Sequence, residues 1–264
     1  PSEIINWKIG SRKIEKIEYW KWILGAIELE TKPTYAPMKS QIHDDLIETI
    51  EEELISDVPI SIFLSGGIDS SIIAALAVEQ SKYDVETFTI GFEDKSLDET
   101  KFSKQIANKL GTNHRLINFD KEDFKDLSSR AFKNLDIPLG DSSYIPTFLL
   151  CEKVSKYYKC ALSGDGGDEL LGGYPTYRAH KFLSLYESYI PQKMRGYLMH
   201  NVLKLLPKSD INISLEMKLS RFLAGKTMPL VKRHFTWMST TFDKSVINRI
   251  MSNKVISKID SYNA

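Results

Sequence analysis

Apolar residues recur at helical spacing across Gln41–Ile55, at Ile42, Leu46, Ile47, Ile50 and Leu54, with acidic residues between them. This period predicts an amphipathic helix with one buried stripe. Ser56-Asp57 and Pro59 close the helix, and an apolar run over Val58–Leu64 reads as a strand. From there the pattern alternates. Strand Val58–Leu64 precedes helix Ile68–Gln80, and strand Val85–Gly91 precedes helix Asp98–Leu110, which Gly111 terminates. Strand His114–Phe119 precedes helix Glu122–Phe132, and helix Tyr144–Tyr157 precedes strand Lys159–Ser163. Strands alternating with helices predict an α/β fold, a Rossmann-like parallel sheet with helices on both faces. Such sheets bind ligands beyond the carboxyl ends of their strands, where the strand order reverses.

The flanks read differently. Residues 1–35 alternate loosely and contain Tyr19, Trp20 and Trp22, which suggests a hairpin or strand leading in; Pro33 and Pro37 bracket a linker. After about residue 176 the chain is rich in Leu, Lys, Arg, Tyr and Met at helical spacing, with no clear strand. The expected organisation is a lead-in over 1–40, an α/β domain over 41–175 and a helical extension over 176–264.

Composition narrows the function classes. The 264 residues are 42% apolar and 27% charged, with 35 basic and 35 acidic side chains, as in an ordinary globular protein. A net charge of zero steers the chain toward neither nucleic acid nor an anionic membrane surface. The longest helical apolar run, Ile72–Val78, is too short to span a bilayer. Pro1–Ser11 lacks the apolar core of a secretory leader, so a reducing cytoplasm is expected and the Asn212-Ile213-Ser214 sequon reads as chance. There is no C-x-x-C or H-E-x-x-H pattern, which argues against structural zinc. Cys151 and Cys160 are expected to be core thiols, His114 a structural histidine and Glu51-Glu52-Glu53 a solvated helix face.

Two glycine-rich segments carry the chemistry. Ser65-Gly66-Gly67-Ile68-Asp69-Ser70 follows a predicted strand and opens a predicted helix. A helix start presents unpaired amides and a partial positive charge, and glycines let that backbone approach an anion. Ser65 and Ser70 add hydroxyl donors. A carboxylate beside a phosphate is repulsive unless a cation joins them, so Asp69 implies Mg²⁺. A plain tight turn before a helix would also carry Ser-Gly-Gly. No lysine follows as a Walker loop requires, so γ-phosphate transfer is disfavoured. The second segment, Ser163-Gly164-Asp165-Gly166-Gly167-Asp168-Glu169, also follows a short apolar run. Its three acids repel one another unless they are solvated, as in a surface turn, or bound to metal.

Ser65–Ser71 resembles the pyrophosphate-binding motif of the adenine-nucleotide alpha-hydrolase-like, or PP-loop, ATP pyrophosphatases. The run Leu162-Ser163-Gly164-Asp165-Gly166-Gly167-Asp168-Glu169-Leu170-Leu171-Gly172-Gly173-Tyr174 is similar to the signature of the synthetase domain of glutamine-hydrolysing asparagine synthetases. Asp136-Ile137-Pro138 and Asp141-Ser142-Ser143-Tyr144-Ile145-Pro146-Thr147 resemble the segment between the loops in that family. The resemblance runs from about Tyr19 to Tyr177 and weakens beyond.

The resemblance implies an ATP-dependent, AMP-forming amide ligase. The aspartate side-chain carboxylate would attack the α-phosphorus of ATP, and ammonia would convert β-aspartyl-AMP to asparagine. By motif, Ser65, Gly66, Gly67 and Ser70 would hold pyrophosphate, and Asp69 and Asp168 would bind Mg²⁺. Leu64, Ile90 and Gly91 would frame adenine and ribose, with Ser163 and Gly164 close by. Asp165, where the family often has glutamate, would serve the acyl-adenylate step, and Asp141 and Ser142 would contribute to the aspartate pocket. β-Lactam synthetases, lasso-peptide cyclases and other amidotransferases share these signatures and differ in acceptor.

The family also carries an N-terminal glutaminase domain with a cysteine as its first residue, whereas this chain begins at Pro1. Glutamine hydrolysis is therefore not expected here, and a glutaminase domain is expected in the full-length protein, with a homodimer possible. The basic segment that follows in the family has no convincing match in residues 178–264, so the chain reads as truncated at both ends. Lys181, Arg195, Arg221, Lys226 and Arg233 are available bases that read as solvated helix faces.

Overall fold

The computed structural model describes residues 2–10, 13–19, 34–120, 124–137, 139–189, 222, 228–238 and 248–262. The chain divides into two compact units, Pro1–Leu46 and Ile47–Ala264. In the first, β1 (Glu3–Trp7) and β2 (Ile14–Glu18) pair antiparallel as the predicted hairpin, with Trp7 opposite Ile14. Trp20, Trp22 and Pro33 lie outside the described residues.

Helix α1 spans Tyr35–Glu53, beginning six residues before the expected Gln41. Pro37 was read as part of a linker, yet it occupies the third helical position. The amides of a first turn have no partner within the helix, so a proline there costs no hydrogen bond. Glu51, Glu52 and Glu53 are exposed, as a solvated face requires.

The second unit holds a four-stranded parallel sheet in the order β5-β4-β3-β6. Its strands are β3 (Ile60–Phe63), β4 (Glu86–Phe92), β5 (Asn113–Phe119) and β6 (Cys160–Leu162). The crossover helices are α2 (Ile68–Gln80), α3 (Thr100–Leu110), α4 (Phe124–Lys133) and α5 (Tyr144–Val154). Glu122 lies outside the described residues, as does Pro138.

Each side of the sheet is covered. Phe88 of β4 packs with Leu150 and Val154 of α5, while Gly91, an odd-numbered position on the same strand, faces Thr100 of α3. Successive strand residues point to opposite faces, so α3 and α5 lie on opposite sides. Thr87 and Thr89, on the α3 side, are buried. The Thr87 hydroxyl is satisfied by Thr112 Oγ1 at 3.0 Å and His114 Nδ1 at 2.9 Å, which gives His114 its structural role. Burial, and secondarily Lys104, lowers the His114 pKa.

The chain steps outward from β3 to β4 to β5, then returns to place β6 on the other side of β3. The strand order therefore reverses between β3 and β6. Their register sets Ile60 opposite Cys160 and Ile62 opposite Leu162, and Ser61 Oγ donates to Cys160 O at 3.3 Å.

Beyond β6 come α6 (Gly167–Leu171), α7 (Pro175–Tyr189), α8 (Leu230–Met238) and α9 (Asn253–Tyr262). Leu183 of α7, Phe222 and Trp237 of α8 form a small core with Ala179 and Tyr186 against it. Arg195, Arg221, Lys226 and the 212–214 sequon lie outside the described residues.

The expectation for the cysteines is corrected: both are exposed and free. Cys151 sits between the sheet-facing residues of α5, and Cys160 lies on β6, which has a neighbour on one side only. Among the described residues no helix is long and apolar enough to cross a membrane.

Candidate active site

The Ser65–Ser70 loop leaves the end of β3 and enters α2 directly. Gly66 adopts φ +88°, a left-handed conformation that disfavours any side chain. It also rests on the first turn of α3: a Cβ at Gly66 would lie 2.5 Å from Ser103 N and 2.7 Å from Phe102 C. Both effects demand glycine, and together they set the loop tightly against α3.

Serines lock the loop from within. Ser65 Oγ and Ser70 Oγ lie 2.9 Å apart, and Ser65 Oγ accepts from the Gly67 amide at 3.1 Å. Ser70 Oγ accepts from the Ser65 amide at 3.3 Å. Ser71 Oγ donates to Gly67 O at 2.6 Å. Ser70 is buried and Ser65 exposed, so both hydroxyls brace the loop and that of Ser65 also faces solvent.

The second segment leaves β6 beside it. A Cβ on Gly164 would lie 2.5 Å from Ser70 N, and one on Gly167 would lie 2.7 Å from Asp69 Cγ. Glycine at these two positions is what lets the loops touch. Gly167 begins α6 against the Asp69 carboxylate, and the next residue is Asp168.

Between the loops opens a cleft of about 520 Å³, within the range of small-ligand sites. Of the residues singled out by sequence, Leu64, Ser65, Gly67, Asp69, Ser70, Ile90, Asp141, Ser163, Gly164, Asp165 and Asp168 line it. Gly66 does not; it serves from behind, against α3. Gly91 does not line the cleft either; it lines a separate recess of about 300 Å³ with Asn118 and Asp98. Ser142 lies outside the lining. Sequence reasoning assigned no role to Phe88, Thr89, Thr147, Leu150, Glu169 or Tyr174, which also line the cleft. The period of β4 would have pointed to Phe88 beside Ile90, since both lie on one face of that strand.

The charge of the cleft is one-sided. Among the described residues, its lining holds five carboxylates, from Asp69, Asp141, Asp165, Asp168 and Glu169, and no lysine or arginine. Three of them are engaged. Asp141 Oδ1 accepts from the Ser143 amide and hydroxyl at 2.9 and 2.8 Å. Asp165 Oδ2 accepts from Ser163 Oγ at 2.9 Å, and that oxygen in turn accepts from the Asp165 amide at 3.4 Å. Glu169 Oε1 accepts from Tyr174 OH at 2.7 Å. That bond, with burial and the charge of Glu169 adding to it, pushes the Tyr174 phenol up to about 12.

The Asp69 and Asp168 carboxylates make no hydrogen bond or ion pair among the described residues. Nor do the described residues contain a cluster of three or more His, Cys, Asp and Glu able to hold a metal alone. A hard divalent cation fits this donor set, since Mg²⁺ is ordinarily held by one or two carboxylates together with substrate phosphate oxygens and water.

Comparison with known proteins places the chain in a family. A family model described as Asparagine synthase matches residues 41–251. A Methanocaldococcus jannaschii protein named as a glutamine-hydrolysing asparagine synthetase, number 2, is 33% identical over 211 residues, 77% of this chain and 38% of the relative. The Bacillus subtilis glutamine-hydrolysing asparagine synthetase 1 is 34% identical over 160 residues, 61% of this chain and 25% of the relative. The chain thus spans well under half the length of these relatives. Among solved structures, the NH3-dependent NAD synthetase from Campylobacter jejuni aligns over 78% of this chain and 99% of its own, at 17% identity and a TM-score of 0.37.

Proposed function

The chain belongs to the asparagine synthase family, and from that premise we propose that it carries the ATP-dependent, AMP-forming half of an amide ligase acting on aspartate. One observation carries this reading. A glycine loop at the start of α2, braced by its own serines, adjoins two carboxylates unpaired among the described residues, in a cleft whose described lining holds no basic residue. Five carboxylates would repel a polyphosphate; a divalent cation between them makes the two compatible.

In the reaction proposed, ATP lies with its β- and γ-phosphates on the Ser65–Ser70 loop and its base toward Leu64 and Ile90. An oxygen of the aspartate side-chain carboxylate attacks the α-phosphorus. The new O–P bond forms as the bond from that phosphorus to the β-phosphate oxygen breaks, and pyrophosphate leaves. The amides of the loop and the Ser65 hydroxyl stabilise the charge that gathers on the departing group, which favours the transition state over bound ATP. Mg²⁺, held by Asp69 and Asp168, would supply neutralising charge at the phosphates.

Ammonia then attacks the acyl carbon of β-aspartyl-AMP, the C–O bond to AMP breaks, and the nitrogen sheds a proton. Asp165, oriented by Ser163, is the carboxylate nearest in role to receive it. Asp141, held by Ser143, offers a fixed negative charge for the ammonium of an amino-acid substrate. A glutaminase domain of the full-length protein is the proposed source of ammonia.

Isotope exchange between pyrophosphate and ATP, run with and without aspartate, tests the reading. Exchange that rises with aspartate is expected. Exchange that ignores aspartate but responds to another carboxylic acid would move the chain to a related amidotransferase or cyclase. No exchange with any acid would remove adenylate formation.

A further inference from the structure

The loop that would cradle pyrophosphate does not stand alone; it leans on a neighbour. Gly66 meets the backbone of α3 at Phe102 and Ser103, so closely that a methyl group would not fit. Ser103 is wholly buried and its hydroxyl is spent on Thr100 O at 3.1 Å. The height of the loop over the cleft is therefore set by where the first turn of α3 sits.

Asp98 ties that turn to the end of β4. Asp98 Oδ2 accepts from Thr100 Oγ1 at 2.8 Å, and Oδ1 accepts from the Thr100 amide at 3.4 Å and from the Phe92 amide at 3.3 Å. The Thr100 hydroxyl above all, with the two amides adding against the effect of burial, holds the Asp98 carboxyl below the usual range. The carboxylate ties the last residue of β4 to the first of α3. On the same side the Thr100 methyl packs where a Cβ of Gly91 would be, 3.1 Å away.

We propose that Asp98 is a positioning residue for the Ser65–Ser70 loop, acting through the first turn of α3 and the Gly66 contact. It touches no substrate; its effect is on where the amides of Gly66 and Gly67 lie. The consequence for ATP rests on the reading of that loop as the pyrophosphate cradle, whereas the effect on the loop itself does not.

The test separates the two. Hydrogen–deuterium exchange over residues 64–70 is compared between the parent chain and Asp98→Ala, Thr100→Val and Thr100→Ser, alongside MgATP affinity by calorimetry and melting temperature. Asp98→Ala is expected to speed exchange in the loop and to weaken MgATP binding about tenfold, since a displacement near 1 Å can cost as much as a hundredfold in rate. Thr100→Val, which removes the hydroxyl but keeps the packing at Gly91, should show a smaller change in the same direction. Thr100→Ser, which keeps the hydroxyl, should restore parent behaviour. A role confined to folding would lower the melting temperature of Asp98→Ala and leave exchange over 64–70 in the folded protein unchanged, and that result overturns the proposal. Faster loop exchange with unaltered MgATP affinity upholds the positioning role and overturns the cradle instead.

Discussion

The two glycine loops share a cleft but are built on opposite principles. The first turns inward: its serine hydroxyls bond one another and its own amides, and its glycine lies flat on α3. The second turns outward. It brings three acids to the cleft, of which one is bonded to its own serine, one to a tyrosine and one to nothing described. A rigid, amide-lined turn suits an anion; loosely held carboxylates suit a cation. Touching at Gly164 and Gly167, they present both to one ligand. The site is a division of labour rather than a duplicated motif.

Displacing the first loop from its neighbours should have the largest effect. Gly66→Ala places a Cβ 2.5 Å from Ser103 N at φ +88°; the left-handed backbone alone costs about 1–2 kcal/mol. Pyrophosphate–ATP exchange should fall at least about a hundredfold, in line with the cost of misplacing a site by an ångström. Gly164→Ala should do the same from the other side. Exchange rates within twofold of the parent in a folded variant would sever the loops from the chemistry.

Removing the cation should come next. In Asp69→Asn or Asp168→Asn, MgATP affinity should fall by about tenfold or more, the loss of roughly 1.4 kcal/mol or greater from one charge-assisted contact. The loss should shrink as Mg²⁺ is lowered toward zero. Calorimetry showing equal losses with and without Mg²⁺ would assign these carboxylates another task.

Loosening only the first loop should matter less. Ser65→Ala removes one hydroxyl from the internal network, worth about 1 kcal/mol, or roughly fivefold in exchange rate. A change in the rate without a change in aspartate KM is expected.

The smallest effect should come from Tyr174→Phe. The phenol, at about 12, stays protonated through the neutral range. Because its pKa is raised above the unfolded value, its contribution to stability is complete below about pH 10 and is lost only as pH rises through about 12. The pH–rate profile between 6 and 9 should therefore be identical in the variant and the parent. A new inflection there would give Tyr174 a proton to move.

The sheet was legible from its alternating apolar runs, and helix α2 agrees with its expected span of Ile68–Gln80 to the residue. Both loops were legible because glycine and acid at a strand end have few other uses. What escaped was whatever depends on which way an element faces. Pro37 looked like a break until its place in the first turn made it harmless. Cys151 looked like core until α5 turned it away from the sheet. Glu169 and Tyr174 were visible as letters of the second segment, but their mutual hydrogen bond is a matter of three dimensions.

The pairing of β3 with β6 has a further consequence, in time. Ile60 finds its partner a hundred residues downstream, at Cys160. Joining strands so far apart costs loop-closure entropy, and such contacts slow folding. A chain emerging from the ribosome can lay β3, β4 and β5 side by side long before β6 exists. Throughout that interval it holds half a cleft, with the first loop but without the three carboxylates of the second. The cleft is completed late and all at once, with the closing of a single three-residue strand.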